Sequence, residues 1–167
     1  MINDAIYSSA KHDWGTPQDL FDKIETIFGK FELDAAASKE NAKCHWYYTE
    51  NNSGLHNPWH RLTWCNPPYG REIQKWVGKA IFETHDATIR HCKTAVLLLP
   101  ARTDTQWFQV AAAKCDFIAF IKGRVKFDGA QSSAPFPSAL FVFSQGGATI
   151  HDDRLLREIA TVARFWR

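Results

Sequence analysis

The sequence has no long apolar segment and no closely spaced cysteine pair of the kind that holds a metal. No hydrophobic run in the 167 residues approaches the roughly 20 needed to cross a bilayer, and residues 1–13 are polar, without a signal-peptide core. The four cysteines are dispersed and form no C-x-x-C pair, so neither a zinc site nor a disulfide framework is indicated. We therefore expect a soluble, intracellular protein without a metal site.

The net charge is also small, at +2, which gives little evidence for a polyanionic partner. Its distribution is uneven, because residues 1–83 carry 9 Lys and Arg against 11 Asp and Glu, whereas residues 84–167 carry 11 against 7. A nucleic-acid surface is therefore expected in the second half, if there is one. With 45% apolar residues, residues 1–167 are long enough for one domain and too short for two.

Alternating strand and helix signals predict an α/β fold with a doubly wound, mostly parallel sheet. Thr16 as N-cap and Pro17 at the first helical position predict a helix that ends at Gly29. Strands are predicted at residues 31–33, 45–49, 62–65, 94–99, 117–127 and 138–144, and further helices over residues 73–81, 107–111 and 155–162. The last two strands are joined by a loop too short for a helix and should form an antiparallel hairpin.

The tetrapeptide Asn66-Pro67-Pro68-Tyr69 follows one of these strands and makes a rigid polar loop. Because prolines lack an N–H and fix φ, the Pro67 carbonyl is presented without competing local donors, and the Asn66 side chain adds a second acceptor. Two acceptors on one planar amine turn its lone pair out of conjugation, and Tyr69 can stack on the same ring. An ordinary proline-rich turn is the alternative.

Three loops are expected to meet at one edge of the sheet. They cover residues 34–38, 66–69 and 100–104, and each follows a predicted strand. Ligands of open α/β sheets bind beyond the carboxyl ends of the strands. This placement favours a chemical role for the loop over an ordinary turn.

Six short motifs along the chain resemble those of one enzyme family. They are Trp14-Gly15-Thr16-Pro17, Leu33-Asp34-Ala35-Ala36, the tetrapeptide of residues 66–69, residues 99–105, residues 123–127 and residues 134–138. In this order they resemble the phage-type DNA N-6-adenine methyltransferases of the Dam-like family over nearly the whole chain. The resemblance implies transfer of a methyl group from S-adenosylmethionine to the exocyclic amine of adenine in DNA, within the cytoplasm of a bacterial host cell, with residues 66–69 as the catalytic loop.

The segments before the catalytic loop are then expected to bind the cofactor. Thr16 and Pro17, at a helix N-terminus, could receive the carboxylate of its methionine moiety, and Asp34 could accept hydrogen bonds from its ammonium group. Ala35 and Ala36 allow a close backbone approach where related enzymes have a glycine-rich turn. A local Asx-turn or helix cap is the alternative for Asp34.

Two further places are assigned to cofactor or adenine binding. Trp14 adjoins the first cofactor segment. Near Ser53 the family more usually has an acidic residue, so Asn51, Asn52 or Ser53 is expected to supply a neutral hydrogen bond instead.

The candidate nucleic-acid residues lie in the second half of the chain. Lys122, Arg124 and Lys126 would share one face of a strand and contact phosphates, although an ordinary solvated face is the alternative. Arg102 follows a strand at the active edge and is the better single candidate. Phe127 or Phe136 could stack on the target base opposite Tyr69, although buried phenylalanine is more common.

The chemistry of the loop leaves other substrates open. Cytosine, RNA and protein glutamine amides also offer a planar conjugated nitrogen, and a non-catalytic DNA- or cofactor-binding module could keep the same fold. We expect a monomer or weak dimer. The target sequence cannot be predicted, although residues 128–137 are a candidate reading loop.

Overall fold

One mixed sheet of seven strands organises the chain in this computed structural model, which describes residues 14–86, 88 and 91–164. The elements in chain order are α1 Gln18–Phe28, β1 Leu33–Asp34, β2 Trp46–Tyr47, β3 Leu62–Cys65, α2 Ile73–His85, β4 Thr94–Pro100, α3 Gln106–Lys114, β5 Phe117–Ile121, β6 Ser138–Ser144, α4 Asp153–Ile159 and β7 Ala160–Arg164. Residues 1–13, where the sequence shows no signal-peptide core, lie outside the described residues. No helix in the described part of the chain combines the length and apolar character needed to cross a membrane.

The strand order β2-β1-β3-β4-β6-β5-β7 confirms the predicted fold class. The first four strands in that order are parallel, whereas β4 with β6, β6 with β5 and β5 with β7 pair antiparallel. Helices α2 and α3 contribute to the core on one face, and α1 and α4 contribute to the core on the other. The sheet is therefore doubly wound, and the predicted β5–β6 hairpin is confirmed.

The two central strands explain why the sheet is stable with helices on both faces. All seven residues of β6 and six of the seven in β4 are buried. Their sequences, TAVLLLP and SALFVFS, are nearly continuous apolar runs, as expected for strands covered on both sides. The alternating hydrophobic pattern of a half-exposed strand is absent from both.

The prediction that the chain closes with a helix over residues 155–162 is wrong. Helix α4 ends at Ile159, and Ala160 begins β7, which pairs antiparallel with β5 through Ala160 opposite Ile121 and Val162 opposite Ala119. Without β7, the backbone groups of β5 would be unpaired along this edge. The pairing therefore overrides the helical spacing of the apolar residues.

The predicted strand over residues 117–127 is also too long. Strand β5 stops at Ile121: the Lys122 amide still hydrogen-bonds to the Ile159 carbonyl, but Gly123 then adopts φ 77° and turns the chain away. The chain then crosses toward Gly15, whose carbonyl accepts a hydrogen bond from the Asp128 amide at 2.8 Å. Residues 122–127 are irregular, so the basic residues in this segment do not form a stripe on a strand.

The first helix begins later than predicted. Helix α1 starts at Gln18 with Pro17 as its N-cap residue, and no side chain caps it. Thr16 is buried instead, and its hydroxyl accepts a hydrogen bond from Asn66. The prediction of Thr16 as the N-cap is therefore wrong, because its oxygen is used in a contact with the catalytic-loop candidate.

The predicted meeting of loops at one sheet edge is confirmed by the strand register. Asp34 pairs with Trp64 across β1 and β3, and the pairing continues into the loop through a 2.9 Å hydrogen bond from the Ala35 amide to the Trp64 carbonyl. Pro100, at the end of β4, pairs with Ser138 at the start of β6. The segments after β1, β3 and β4 therefore leave the sheet side by side.

Gly54 packs closely against this edge. A Cβ placed on Gly54 would lie 2.2 Å from the Ala35 carbonyl oxygen and 3.3 Å from the Trp76 ring. The Gly54 carbonyl in turn accepts a 2.8 Å hydrogen bond from the buried Trp59 indole. The segment after β1 is thus packed directly against a second loop, with no space for a side chain between them.

We predict that Gly54→Ala destabilises the protein by about 1–3 kcal/mol, because the new methyl group overlaps a backbone oxygen. Urea unfolding monitored by circular dichroism measures the change. Gly78→Ala is the matched control, since Gly78 lies within α2 and a Cβ there would meet nothing within 4 Å. That control should be neutral or more stable by up to about 1 kcal/mol, because alanine favours helix. Equal stability of Gly54→Ala and the wild type would contradict the proposed contact.

Candidate active site

A cleft of about 1600 Å³ lies at the edge where β1 and β3 end. Its volume exceeds the roughly 300–1,000 Å³ of a typical small-molecule pocket, so it has room for more than one ligand group. Eight of the cofactor or catalytic residues predicted from the sequence line it: Trp14, Thr16, Asp34, Ala35, Ala36, Ser53, Asn66 and Pro68. The cleft therefore combines most of the predicted cofactor residues with two residues of the catalytic-loop candidate.

The Asn66 amide is held in one orientation. Its nitrogen donates hydrogen bonds to the Trp14 carbonyl and, at 3.1 Å, to the Thr16 hydroxyl. Because a carbonyl can only accept, it fixes which end of the amide faces Trp14. The Asn66 Oδ1 atom is then left buried without a hydrogen-bond partner among the described residues. A buried unpaired acceptor is costly, and a ligand amine that donates to it would remove that cost.

The rest of the tetrapeptide supports this geometry. The Gly70 amide hydrogen-bonds to the Pro68 carbonyl at 3.1 Å, which closes a tight turn. The Tyr69 hydroxyl donates to the Leu98 carbonyl of β4 at 3.0 Å, and burial raises the pKa of this phenol well above its usual value. Pro67 is buried and, like Tyr69, does not line the cleft. The loop therefore follows β3 directly and is tied to β4 through Tyr69.

Four aromatic rings pack around one another beside the tetrapeptide. The Tyr69 ring makes edge contacts with Phe127 and Phe136, at centroid distances of 6.1 and 5.6 Å. Trp14 contacts the same two phenylalanines at 5.3 and 6.1 Å. Phe127 is 1% exposed, so in this structure it supports the other rings and does not face the cleft. Sequence reasoning singled out these rings separately but did not predict that they form one cluster.

Asp34 is a buried carboxylate in the wall of the cleft. Its oxygens accept hydrogen bonds from the Ala36 amide at 3.3 Å and the Lys43 amide at 3.1 Å. The first of these is the Asx-turn that was the local alternative for this residue. Burial raises the pKa of Asp34 to about 6, although the two amide hydrogen bonds and the positive charge of Lys43 oppose the rise. The carboxyl therefore has both a local structural contact and a position suited to a cationic ligand group.

The small residues after Asp34 lie where the sequence predicted a close backbone approach. Ala35 and Ala36 line the cleft, and neither carries a side chain larger than a methyl group. Ser53 also lines it, while its hydroxyl accepts a 3.3 Å hydrogen bond from the Leu55 amide. Asn52 is exposed outside the cleft, and its side-chain oxygen accepts a hydrogen bond from Asn57 at 2.9 Å.

The predicted nucleic-acid residues lie outside the cleft. Arg102 lies just beyond the end of β4, with its guanidinium 5.9 Å from the centre of the Phe136 ring. Lys122 donates a hydrogen bond to the Arg157 carbonyl at 2.7 Å, so its ammonium is directed toward the end of α4. Arg124 and Lys126 are exposed. The structure thus separates Lys122 from the other basic residues of its segment.

Sequence reasoning missed Lys43, which also lines the cleft. Its ammonium hydrogen-bonds to Gln18 at 3.1 Å and forms an ion pair with Asp128 at 3.4 Å. The sequence around Lys43 has no periodicity or motif that marks a binding residue. Lys43 faces the cleft because its ammonium contacts the start of α1 and Asp128, and these two segments meet only in the folded protein.

Comparison with known proteins places the chain in a family. A family model described as DNA N-6-adenine-methyltransferase (Dam) matches residues 4–144. The chain is 34% identical over 117 residues, or 69% of its length, to the DNA N-6-adenine-methyltransferase of Escherichia phage T1, and 33% identical over 122 residues, or 71% of its length, to that of Haemophilus phage HP1. The matched region spans 47% of the T1 protein, about half its length, and 68% of the HP1 protein. Since the family match covers most of the chain, the protein belongs to the DNA N-6-adenine-methyltransferase family.

Proposed function

We propose that this protein transfers a methyl group from S-adenosylmethionine to the exocyclic amine of adenine in DNA. Family membership supports a methyl-transfer reaction on this base. The single structural observation that carries the proposal is the Asn66 amide, whose nitrogen is fixed by Trp14 and Thr16 and whose oxygen is a buried acceptor without a partner. This acceptor lacks a hydrogen-bond donor, and the N–H of an amine would supply one.

In this proposal the tetrapeptide orients the amine that is methylated. Asn66 Oδ1 and the Pro67 carbonyl accept its two hydrogens, so the nitrogen lone pair turns out of conjugation with the ring. The Tyr69 ring does not line the cleft. Held by its hydroxyl on β4, it would limit how a base bound beside Asn66 can tilt. Extrusion of the base from a DNA duplex costs a few kcal/mol, which contacts of the base in the cleft would offset.

The residues of the cleft fit an S-adenosylmethionine molecule. When bound, this cofactor supplies an electrophilic methyl group on a sulfonium. Asp34 would accept hydrogen bonds from its ammonium group, and Thr16 and Pro17 lie beside the amides at the start of α1, where an anion is favoured. The backbone at Ala35 and Ala36 is open to a closely bound ligand, while Ser53 would supply a neutral hydrogen bond. Asn52 lies outside the cleft and is not part of this proposal.

DNA contacts are assigned to the basic residues beyond the cleft. Arg102, Arg124 and Lys126 would contact phosphates, which fixes the position of the duplex without reading its sequence. The phage sources of the relatives support a site of action in the cytoplasm of a bacterial cell. Within it, we propose a monomer or weak dimer.

A methyl-transfer assay with radiolabelled donor and unmethylated DNA, followed by nucleoside analysis of the product, tests the proposal. N6-methyladenine in the digest is the expected product. Label in cytosine, in RNA or in a protein glutamine would instead identify one of the other planar amines. Absence of transfer to any of these substrates would favour a binding module without catalytic activity.

We predict that Asn66→Ala abolishes methyl transfer, with a loss of at least about 100-fold in kcat, the size expected when one preorganised hydrogen-bonding group is removed. Binding of S-adenosylhomocysteine, measured by calorimetry, should stay within a few-fold of wild type. Gln74→Ala removes an exposed amide on α2 outside the cleft and serves as the control. Near-normal turnover of Asn66→Ala would reject the proposed role of this side chain.

Tyr69→Ala is expected to weaken capture of the target base more than binding of the cofactor. The KM for DNA should rise or the single-turnover rate should fall by at least about tenfold, because a large aromatic contact is lost. Tyr69→Phe keeps the ring and removes only the hydrogen bond to Leu98, so it should retain most of the activity. Unchanged DNA kinetics in Tyr69→Ala would refute the assignment.

Cofactor affinity should depend on pH through Asp34. The free carboxyl takes up a proton as the pH falls through about 6, and the neutral form carries no charge to attract an ammonium group. Calorimetry should therefore show constant affinity for S-adenosylhomocysteine above about pH 7 and a decrease of up to about tenfold per pH unit below 6.

The control for this pH dependence is Asp34→Asn, which should bind more weakly and lose the slope. A slope that persists in Asp34→Asn would contradict the prediction for Asp34.

A further inference from the structure

Lys43 has an unusual position for a lysine. Its side chain is 9% exposed, yet it lines the cleft. Lysine is seldom buried to this extent unless its charge has a defined partner. The Lys43 amide also donates to an Asp34 carboxylate oxygen at 3.1 Å, so one short contact fixes the backbone of the lysine beside the acidic residue.

The partners of the ammonium do not account for this burial. The acceptor on α1 is the neutral amide oxygen of Gln18, and the ion pair with Asp128 is 3.4 Å long, with an Asp128 side chain that is 54% exposed. Exposed ion pairs of this length contribute little to stability. An ammonium group has three N–H donors, and among the described residues these two contacts use two of them. One donor remains for a ligand in the cleft.

The two charges suit a zwitterion. The Asp34 carboxyl is 3% exposed and lines the same cleft as the Lys43 ammonium. Gln18, the acceptor for Lys43, is the first residue of α1, so the ammonium lies at the end of the helix whose free amides favour an anion. A carboxylate near Lys43 and an ammonium near Asp34 would each meet an opposite charge. An α-amino acid group has an ammonium and a carboxylate attached to the same carbon.

We propose that Lys43 binds the carboxylate of the amino-acid moiety of the methyl donor, opposite the ammonium group at Asp34. The assignment rests on the proposed function, because it uses S-adenosylmethionine as the ligand. In this assignment the carboxylate is recognised by the Lys43 side chain as well as by the helix start at Thr16 and Pro17. Asp128, now paired with Lys43, would share the ammonium with the bound carboxylate.

The test compares two ligands that differ only in the carboxylate. Isothermal titration calorimetry measures the binding of S-adenosylhomocysteine and of its decarboxylated analogue, which keeps the ammonium group, to the wild type and to Lys43→Met. The wild type should prefer S-adenosylhomocysteine by about 10- to 100-fold, the size expected for one charged hydrogen bond. Lys43→Met should lose this preference while binding the decarboxylated analogue nearly as well as wild type. Lys23→Met, an exposed lysine of α1 outside the cleft, should behave as wild type.

Two more variants separate ligand binding from a structural role. Lys43→Arg keeps the charge and should keep the preference within a few-fold. Asp128→Asn removes the ion pair but leaves the ammonium, so it should bind S-adenosylhomocysteine as well as the wild type or better. If Lys43→Met does not fold, as judged by thermal unfolding, these two variants still decide the question.

The outcomes distinguish the inference from the proposed function. The inference would be overturned if Lys43→Met lost the same affinity for both ligands. It would also be overturned if Asp128→Asn lost as much affinity for S-adenosylhomocysteine as Lys43→Met does. Either result would show that Lys43 has only a structural role. A wild-type protein that binds S-adenosylhomocysteine and its analogue equally would also overturn it. A wild-type protein that binds neither ligand would reject the proposed cofactor, and the inference with it.

Discussion

The parallel pairing of β1 with β3 is the constraint on which the rest of the site depends. Asp34 lies opposite Trp64, and the hydrogen bond from Ala35 to the Trp64 carbonyl carries the pairing one step beyond the strand. The two strands therefore stay paired until the loops begin. As a result, the Asp34 carboxylate and the Asn66 amide, which belong to different motifs, face one cleft. A shift of one residue in this register would turn each of these side chains to the opposite face of the sheet.

The orientation of Asn66 depends on a segment far from it in the chain. Its nitrogen contacts the Trp14 carbonyl and the Thr16 hydroxyl, and the neighbouring Gly15 pairs with Asp128. The segment of residues 14–16 is thus held between the tetrapeptide and the chain that crosses over after β5. Because Lys43 also contacts Asp128, Asn66 and Lys43 are linked through a few polar contacts. A displacement of residue 128 would affect the proposed cofactor and amine sites together.

Much of the fold could be predicted from the sequence, because the central strands and α2 have strong apolar patterns, and the tetrapeptide is marked by its two prolines. The sequence could not predict β7, since the residues after Ile159 fit a helix or a strand equally well and only the open edge of β5 decides. Nor could it predict the end of β5, where Gly123 turns the chain. In the site, Asp34 ends one recognisable strand and Asn66 follows another, whereas Lys43 faces the cleft only because α1 and Asp128 lie close to it.

The contact between Gly54 and the Ala35 carbonyl has a consequence for protein engineering. In this chain the turn after β1 contains alanines, and the residue without a side chain lies about twenty positions away, on the loop that packs against it. The close packing of these two loops is therefore divided between two segments of the sequence. A transplant of residues 33–37 into another scaffold would carry only half of this packed pair, and it would need residues 53–55 with the Trp59 indole that holds them.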